Sequence, residues 1–124
     1  MPLKYLDHVN VQTTRLEEMR AFYRDVLGMR EGPRPGFSFG GAWMYLLDRP
    51  VVHLVEVDEA RVHGVPSLEH FAFAAEGSAV FLQTLAAAGV PCYFTEAPGA
   101  GLTQVNFVDP EGNHIHVDFP AGES

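Results

Sequence analysis

Apolar and polar residues alternate through LDHVNV, residues 6 to 11, and again through LEHFAF, residues 68 to 73. A period of two predicts strands with one buried face. Both stretches open on Leu, an acid and His, and they start half of the 124-residue chain apart. After each, the period lengthens to that of a helix. In TTRLEEMRAFYRDVLGM, Leu16, Met19, Phe22, Tyr23, Val26 and Leu27 share a stripe, Thr14 and Glu17 are spaced as a capping box, and Gly28 is a left-handed stop. In GSAVFLQTLAAAGV, Ser78 reads as N-cap, Phe81, Leu82 and Leu85 as the stripe, and Gly89 as the stop. Three strand-like runs follow each helix: 36–39, 42–47 and 51–57 in the first half, 91–95, 102–108 and 113–119 in the second. Asp48, Arg49 and Pro50 turn the chain in the first half, and Asp109-Pro110-Glu111-Gly112 reads as a type I turn in the second. The expected fold class is α+β, two tandem β-α-β-β-β modules over 1–57 and 68–124. DEARVHGVPS, 58–67, connects them without apolar period, and its His63 reads as a loop residue. Neither module of about 60 residues buries much surface alone, so the chain is expected to fold as one domain, 1–124.

Charge narrows the partners. The chain carries 16 acidic and 8 basic residues, a net charge of −8. Nucleic acids and anionic membranes need clustered basic side chains, so a small molecule is the expected partner. No apolar run approaches the roughly 18 to 20 residues of a membrane span, and MPLKYLDHV lacks a signal-peptide pattern, which places the expected location in the cytoplasm. The single cysteine, Cys92 in VPCYF, is expected as a buried, inert thiol.

Four of the six histidines fall on the first or last strand of a module: His8 and His53, then His70 and His116. Strand alternation separates His53 from Glu56, while His114, His116 and Asp118 share the face opposite Ile115, Val117 and Phe119. His114 reads as a rim residue of that face. Imidazole suits Zn, Ni, Fe and other transition metals, whereas Mg and Ca prefer oxygen ligands. Asn10, on the His8 face, Gln104, and Phe39 and Trp43 within GFSFGGAWMYL are candidate substrate contacts.

LDHVNVQTTRLEEMRAFYRDVLGM, VVHLVEV, LEHFAF and FVDPEGNHIHVDF together resemble the vicinal oxygen chelate superfamily, the glyoxalase, bleomycin-resistance and extradiol-dioxygenase group. The resemblance implies curled mixed sheets forming a cup-shaped site, homodimers, and a divalent transition metal (Zn, Ni, Fe or Mn). It implies His8, His53, His70 and His116 as ligands, with His116 where the family most often has glutamate. Asp118, about 7 Å further along the strand at roughly 3.3 Å per residue, then serves either as a ligand in a shifted register or as an outer partner orienting an imidazole. The expected function is a metal-dependent glyoxalase-like lyase or isomerase on a small chelating oxygenated substrate, with His116 and His53 as the catalytic pair. An extradiol-type ring-cleaving dioxygenase on His8, His70 and His116 is one alternative. A metal-free bleomycin-resistance-like binding protein, suggested by Phe37, Phe39, Trp43 and Tyr45, is the other.

Overall fold

The computed structural model describes residues 4–59, 68–97, 99 and 101–122. The chain divides into two compact units, Met1–Val62 and His63–Ser124, with the division inside the expected connector. Most of that connector, His63 included, lies outside the described residues.

In the first unit the elements run β1 (Val9–Thr13), α1 (Leu16–Ala21, continued by a π-helical stretch Phe22–Val26), β2 (Arg30–Gly32), β3 (Gly41–Leu46) and β4 (Arg49–Glu56). The sheet order is β1-β4-β3-β2, with β1 parallel to β4 and the other pairs antiparallel. Alternation works as read: Ala42, Met44, Val52 and Leu54 are buried on the face that meets Leu16, Met19, Phe22, Tyr23 and Val26. Gly28 adopts φ 71, and the Met29 N–H reaches back to the Tyr23 carbonyl across it.

Three local expectations are corrected. The run 36–39 is not a strand, because Pro33 and Pro35 remove ladder donors just before it; Arg30–Gly32 pairs with Trp43–Tyr45 instead. The N-cap of the helix is Arg15, one residue after the expected Thr14; Arg15 makes no side-chain cap bond, and its N–H donates to Thr13 Oγ1 at 2.8 Å. The β3–β4 turn falls at Leu47 and Asp48, with Leu47 at φ 56, one step ahead of the expected Asp48-Arg49-Pro50.

The second unit repeats the plan: β5 (His70–Ala74), α2 (Ser78–Ala87), β6 (Tyr93–Ala97), β7 (Leu102–Val108) and β8 (His114–Pro120), in the order β5-β8-β7-β6. Again the first strand runs parallel to the last. Val105, Phe107, Ile115, Val117 and Phe119 are buried with Leu85 of α2, and the Phe81 ring lies 5.7 Å from both Phe107 and Phe119. Gly77, at φ 85, takes the N-cap place expected for Ser78, which is the first helical residue. The turn at Asp109–Gly112 forms as read. The Gly112 N–H donates to the Asp109 carbonyl, while the buried Asp109 carboxylate accepts from the Glu111 and Asn113 N–H groups and from Asn113 Nδ2. The two four-stranded mixed sheets and two helices make an α+β fold of two like modules. Cys92 is exposed, not buried, because it precedes β6 instead of lying within it.

Candidate functional site

On the face of the first sheet opposite its core, register lines up Gly32, Trp43, His53 and Asn10 in a row across the strands. His53, 8% exposed, is held between two rings: its centroid is 3.8 Å from His8 and 4.0 Å from Trp43, both nearly parallel. Its Nε2–H donates to the Pro50 carbonyl at 3.0 Å, which leaves Nδ1 as its unprotonated nitrogen. Burial, followed by the neighbouring His8, pushes the His53 pKa below its ordinary value, so this imidazole is neutral at neutral pH. His8 is exposed and sits just before β1, with Nδ1 2.7 Å from Asp7 Oδ2. That hydrogen bond is the main reason the Asp7 carboxyl lies below its usual range. Phe39 is in the loop before β3, stacked on Phe37 at 4.8 Å.

The equivalent row of the second sheet reads Tyr93, Asn106, His116 and Ala72. His116, 7% exposed, donates from Nδ1 to Asp118 Oδ1 at 2.5 Å, so Nε2 is its free nitrogen. His70 lies 4.6 Å from His116 and 5.1 Å from His114, centroid to centroid. Glu69 binds both outer imidazoles: Oε1 is 2.5 Å from His70 Nδ1 and Oε2 is 2.9 Å from His114 Nδ1. Bonds from His70 first and His114 second hold the Glu69 carboxyl below its ordinary pKa. Among the described residues, Glu69, His70 and His114 are the set whose donor atoms all lie within 4.8 Å of one another.

His114 is therefore built in, rather than a bystander on the rim. Its Nε2 meets Asn106 Oδ1 at 2.8 Å, and Asn106 is oriented by donating from Nδ2 to Thr95 Oγ1 at 2.8 Å. Thr95 in turn donates to Gln104 Oε1 at 2.7 Å, so Gln104 belongs to this polar network as its far end. Asp7, Glu69 and Asn106 were not singled out from the sequence. The doubled acid–His step of LDH and LEH is the signal that points to the first two. Nothing local in the sequence marks Asn106, whose place depends on the register of β7 against β8.

His8, His70 and His116 thus share one arrangement, a carboxylate on Nδ1 that fixes the tautomer and leaves Nε2 with its lone pair. Each imidazole so arranged is a donor suited to a borderline transition metal and not to Mg or Ca.

Comparison with known proteins agrees with the fold. A glyoxalase family protein from Bacillus anthracis superimposes with a TM-score of 0.80 at 26% identity, covering 97% of this chain and 98% of that one. Lactoylglutathione lyase from Agrobacterium tumefaciens gives 0.70 at 23% identity, covering 95% of each chain. A fosfomycin resistance protein from Listeria monocytogenes gives 0.73 at 14% identity, covering 98% of this chain and 97% of that one. No curated protein sequence matches the chain. The sequence profile of one family covers residues 5–117, nearly the whole chain, and with it the paired modules and the repeated acid–His step find their place: the chain belongs to the Glyoxalase/Bleomycin resistance protein/Dioxygenase superfamily.

Proposed function

We propose that the chain is a metal-dependent enzyme of the glyoxalase-like lyase or isomerase kind, acting on a small oxygenated substrate that chelates a divalent transition metal (Zn, Ni, Fe or Mn). The observation that carries this reading is the threefold carboxylate–imidazole pairing at Asp7–His8, Glu69–His70 and His116–Asp118. A carboxylate on one ring nitrogen is the usual outer support of an imidazole that ligates with the other. The proposed ligands are His8 and His53 of the first unit and His70 and His116 of the second. Where relatives most often place a glutamate, His116 offers a neutral donor, and Glu69 is the nearby carboxylate that supplies the negative charge.

When bound, the ion supplies Lewis-acid polarisation of a substrate oxygen. The rest falls to side chains. Asp118 keeps His116 in one tautomer and one orientation. His53, held neutral with its Nε2–H on Pro50, has its one lone pair on Nδ1, and His53 is proposed to take up a substrate proton there once that atom has dissociated from its role as a ligand. Asn10, beside His53 in the same row, is proposed to position the substrate.

The hemithioacetal of methylglyoxal and glutathione tests the reading, since a lactoylglutathione lyase shares the fold. Turnover is expected to vanish with EDTA, to return with Zn, Ni or Mn, and to be lost in His53→Ala. Turnover that survives chelation contradicts it. The two imidazoles and one carboxylate of His70, His114 and Glu69, whose mutual hydrogen bonds would give way to the ion, favour a second reading, an extradiol-type dioxygenase loaded with iron. A yellow product from catechol under air, given Fe(II), selects it over the first.

A further inference from the structure

We propose that the first unit carries a binding platform for a small planar aromatic anion, whose ring rests on Phe37, Phe39 and Trp43 and whose acidic group meets Arg34. The platform lies within one unit and does not depend on a metal.

The segment 33–40 is where the expected strand fails, and the structure shows what replaces it. Phe37 and Phe39 are each 44% exposed, their rings stacked at 4.8 Å and 14°. Trp43 lies 6.5 Å from Phe37, inclined at 51°, and continues through His53 to His8 in successive stacks of 4.0 and 3.8 Å. Half-exposed aromatic rings are costly in water, and a row of them has its natural complement in another flat π surface.

The rings are held in place. Tyr45 donates its hydroxyl proton to the Pro33 carbonyl, Arg34 donates to the Phe39 carbonyl at 2.8 Å, and the Glu56 N–H donates to the Gly40 carbonyl at 2.9 Å. At the base of the loop, a Cβ on Gly40 would come within 2.3 Å of Glu56 Oε1, and one on Gly41 within 2.3 Å of the Leu54 carbonyl oxygen. The Glu56 carboxylate at Gly40 ends a flexible side chain that can move aside, whereas the Leu54 carbonyl at Gly41 is backbone, so that approach is open only to glycine and fixes the base of the loop against β4. A surface organised before its ligand arrives loses less entropy on binding.

Arg34 sets the sign of the ligand. Its guanidinium lies 5.0 Å from the Phe37 centroid and 5.3 Å from that of Phe39. Arg15, Arg20 and Arg24 are ion-paired with neighbouring acids, whereas Arg34, like Arg30 and Arg49, has no carboxylate partner among the described residues, and of these three it is the one over the paired Phe37 and Phe39 rings. A guanidinium without a carboxylate partner beside two half-exposed phenylalanine rings suits a carboxylate, toward which it can direct the N–H groups that the Phe39 carbonyl does not use.

Calorimetry on the full chain in EDTA, with three probes of one outline, separates the two contributions. 2-Naphthoate carries ring and charge, 2-naphthalenemethanol the ring alone, and decahydronaphthalene-2-carboxylate the charge without the π face. Saturable binding of 2-naphthoate is expected, about tenfold tighter than either of the others, as ring stacking and a charge-assisted hydrogen bond each warrant. Trp43 is the sole tryptophan, so its emission should be quenched along the same isotherm. Arg34→Gln should erase the preference for 2-naphthoate over the alcohol, and Phe37→Leu with Phe39→Leu the preference over the saturated acid. Equal affinity for the three probes, or no saturable heat and no quenching with 2-naphthoate, overturns the proposal whether or not the protein binds metal.

Discussion

At the scale of single residues, what each candidate imidazole can do is set by which of its nitrogens is already engaged. His8, His70 and His116 have Nδ1 on a carboxylate, whereas His53 has Nε2 on a backbone carbonyl. Asp118 is the most enclosed of these supports, and Asp118→Asn is expected to weaken metal affinity by about 10–100-fold with His116 still present, measured by competition with a chromogenic chelator. His53 makes a separate prediction for chelator-treated protein. Its folded pKa lies below its ordinary 6.5, so between the two values the unfolded chain binds a proton that the folded chain does not. Stability from this group is therefore complete above the ordinary value and is lost as pH falls through it toward the folded one. The urea midpoint should drop between about pH 7.5 and about pH 5.5, and His53→Gln should reduce that drop. The sequence showed the four strand-end histidines because repetition marks them. It could not show their hydrogen bonds, since the partners of His114 come from Glu69, at the entrance to a different strand, and from Asn106, across the register of β7 and β8.

At the scale of elements, glycine and the buried turn aspartate hold the frame. Gly41→Ala brings a methyl group onto the Leu54 carbonyl, and a loss of about 1–3 kcal/mol in urea unfolding is expected, with the aromatic loop displaced. Asp109→Ala leaves the turn donors of Glu111 and Asn113 without their acceptor, and about 1–3 kcal/mol should be lost there as well. The helices and the long strands were legible because their periods are long enough to be distinctive, and the stops at Gly28 and Gly89 because each takes a positive φ, 71 and 70. Short elements were not: β2 has three residues, Arg30–Gly32, too few to show alternation, and the apolar run at 36–39 imitated a strand that its prolines forbid. The start of α2 was misplaced by one residue because Ser78 satisfies the composition rule for an N-cap, while Gly77 satisfies the backbone requirement.

At the scale of the whole molecule, two units of one topology have diverged on one face. The row Gly32, Trp43, His53, Asn10 is aromatic, and its counterpart Tyr93, Asn106, His116, Ala72 leads into a polar network. Each last-strand histidine keeps its place, while the residue opposite it changes from Trp43 to Asn106. The shared topology leaves the repeat visible in sequence, while the different residues facing each last-strand histidine are disclosed only by register. No helix among the described residues is long and apolar enough to cross a membrane. The proposed function requires the strand-end imidazoles to hold a metal. Elemental analysis of the full chain, exposed to Zn, Ni, Mn and Fe(II) and then freed of excess metal, tests it against His8→Ala and His116→Ala variants. The account predicts a stoichiometric transition metal in the parent chain and a marked loss in both variants. A parent chain that emerges without metal, or variants that retain a full complement, would contradict it.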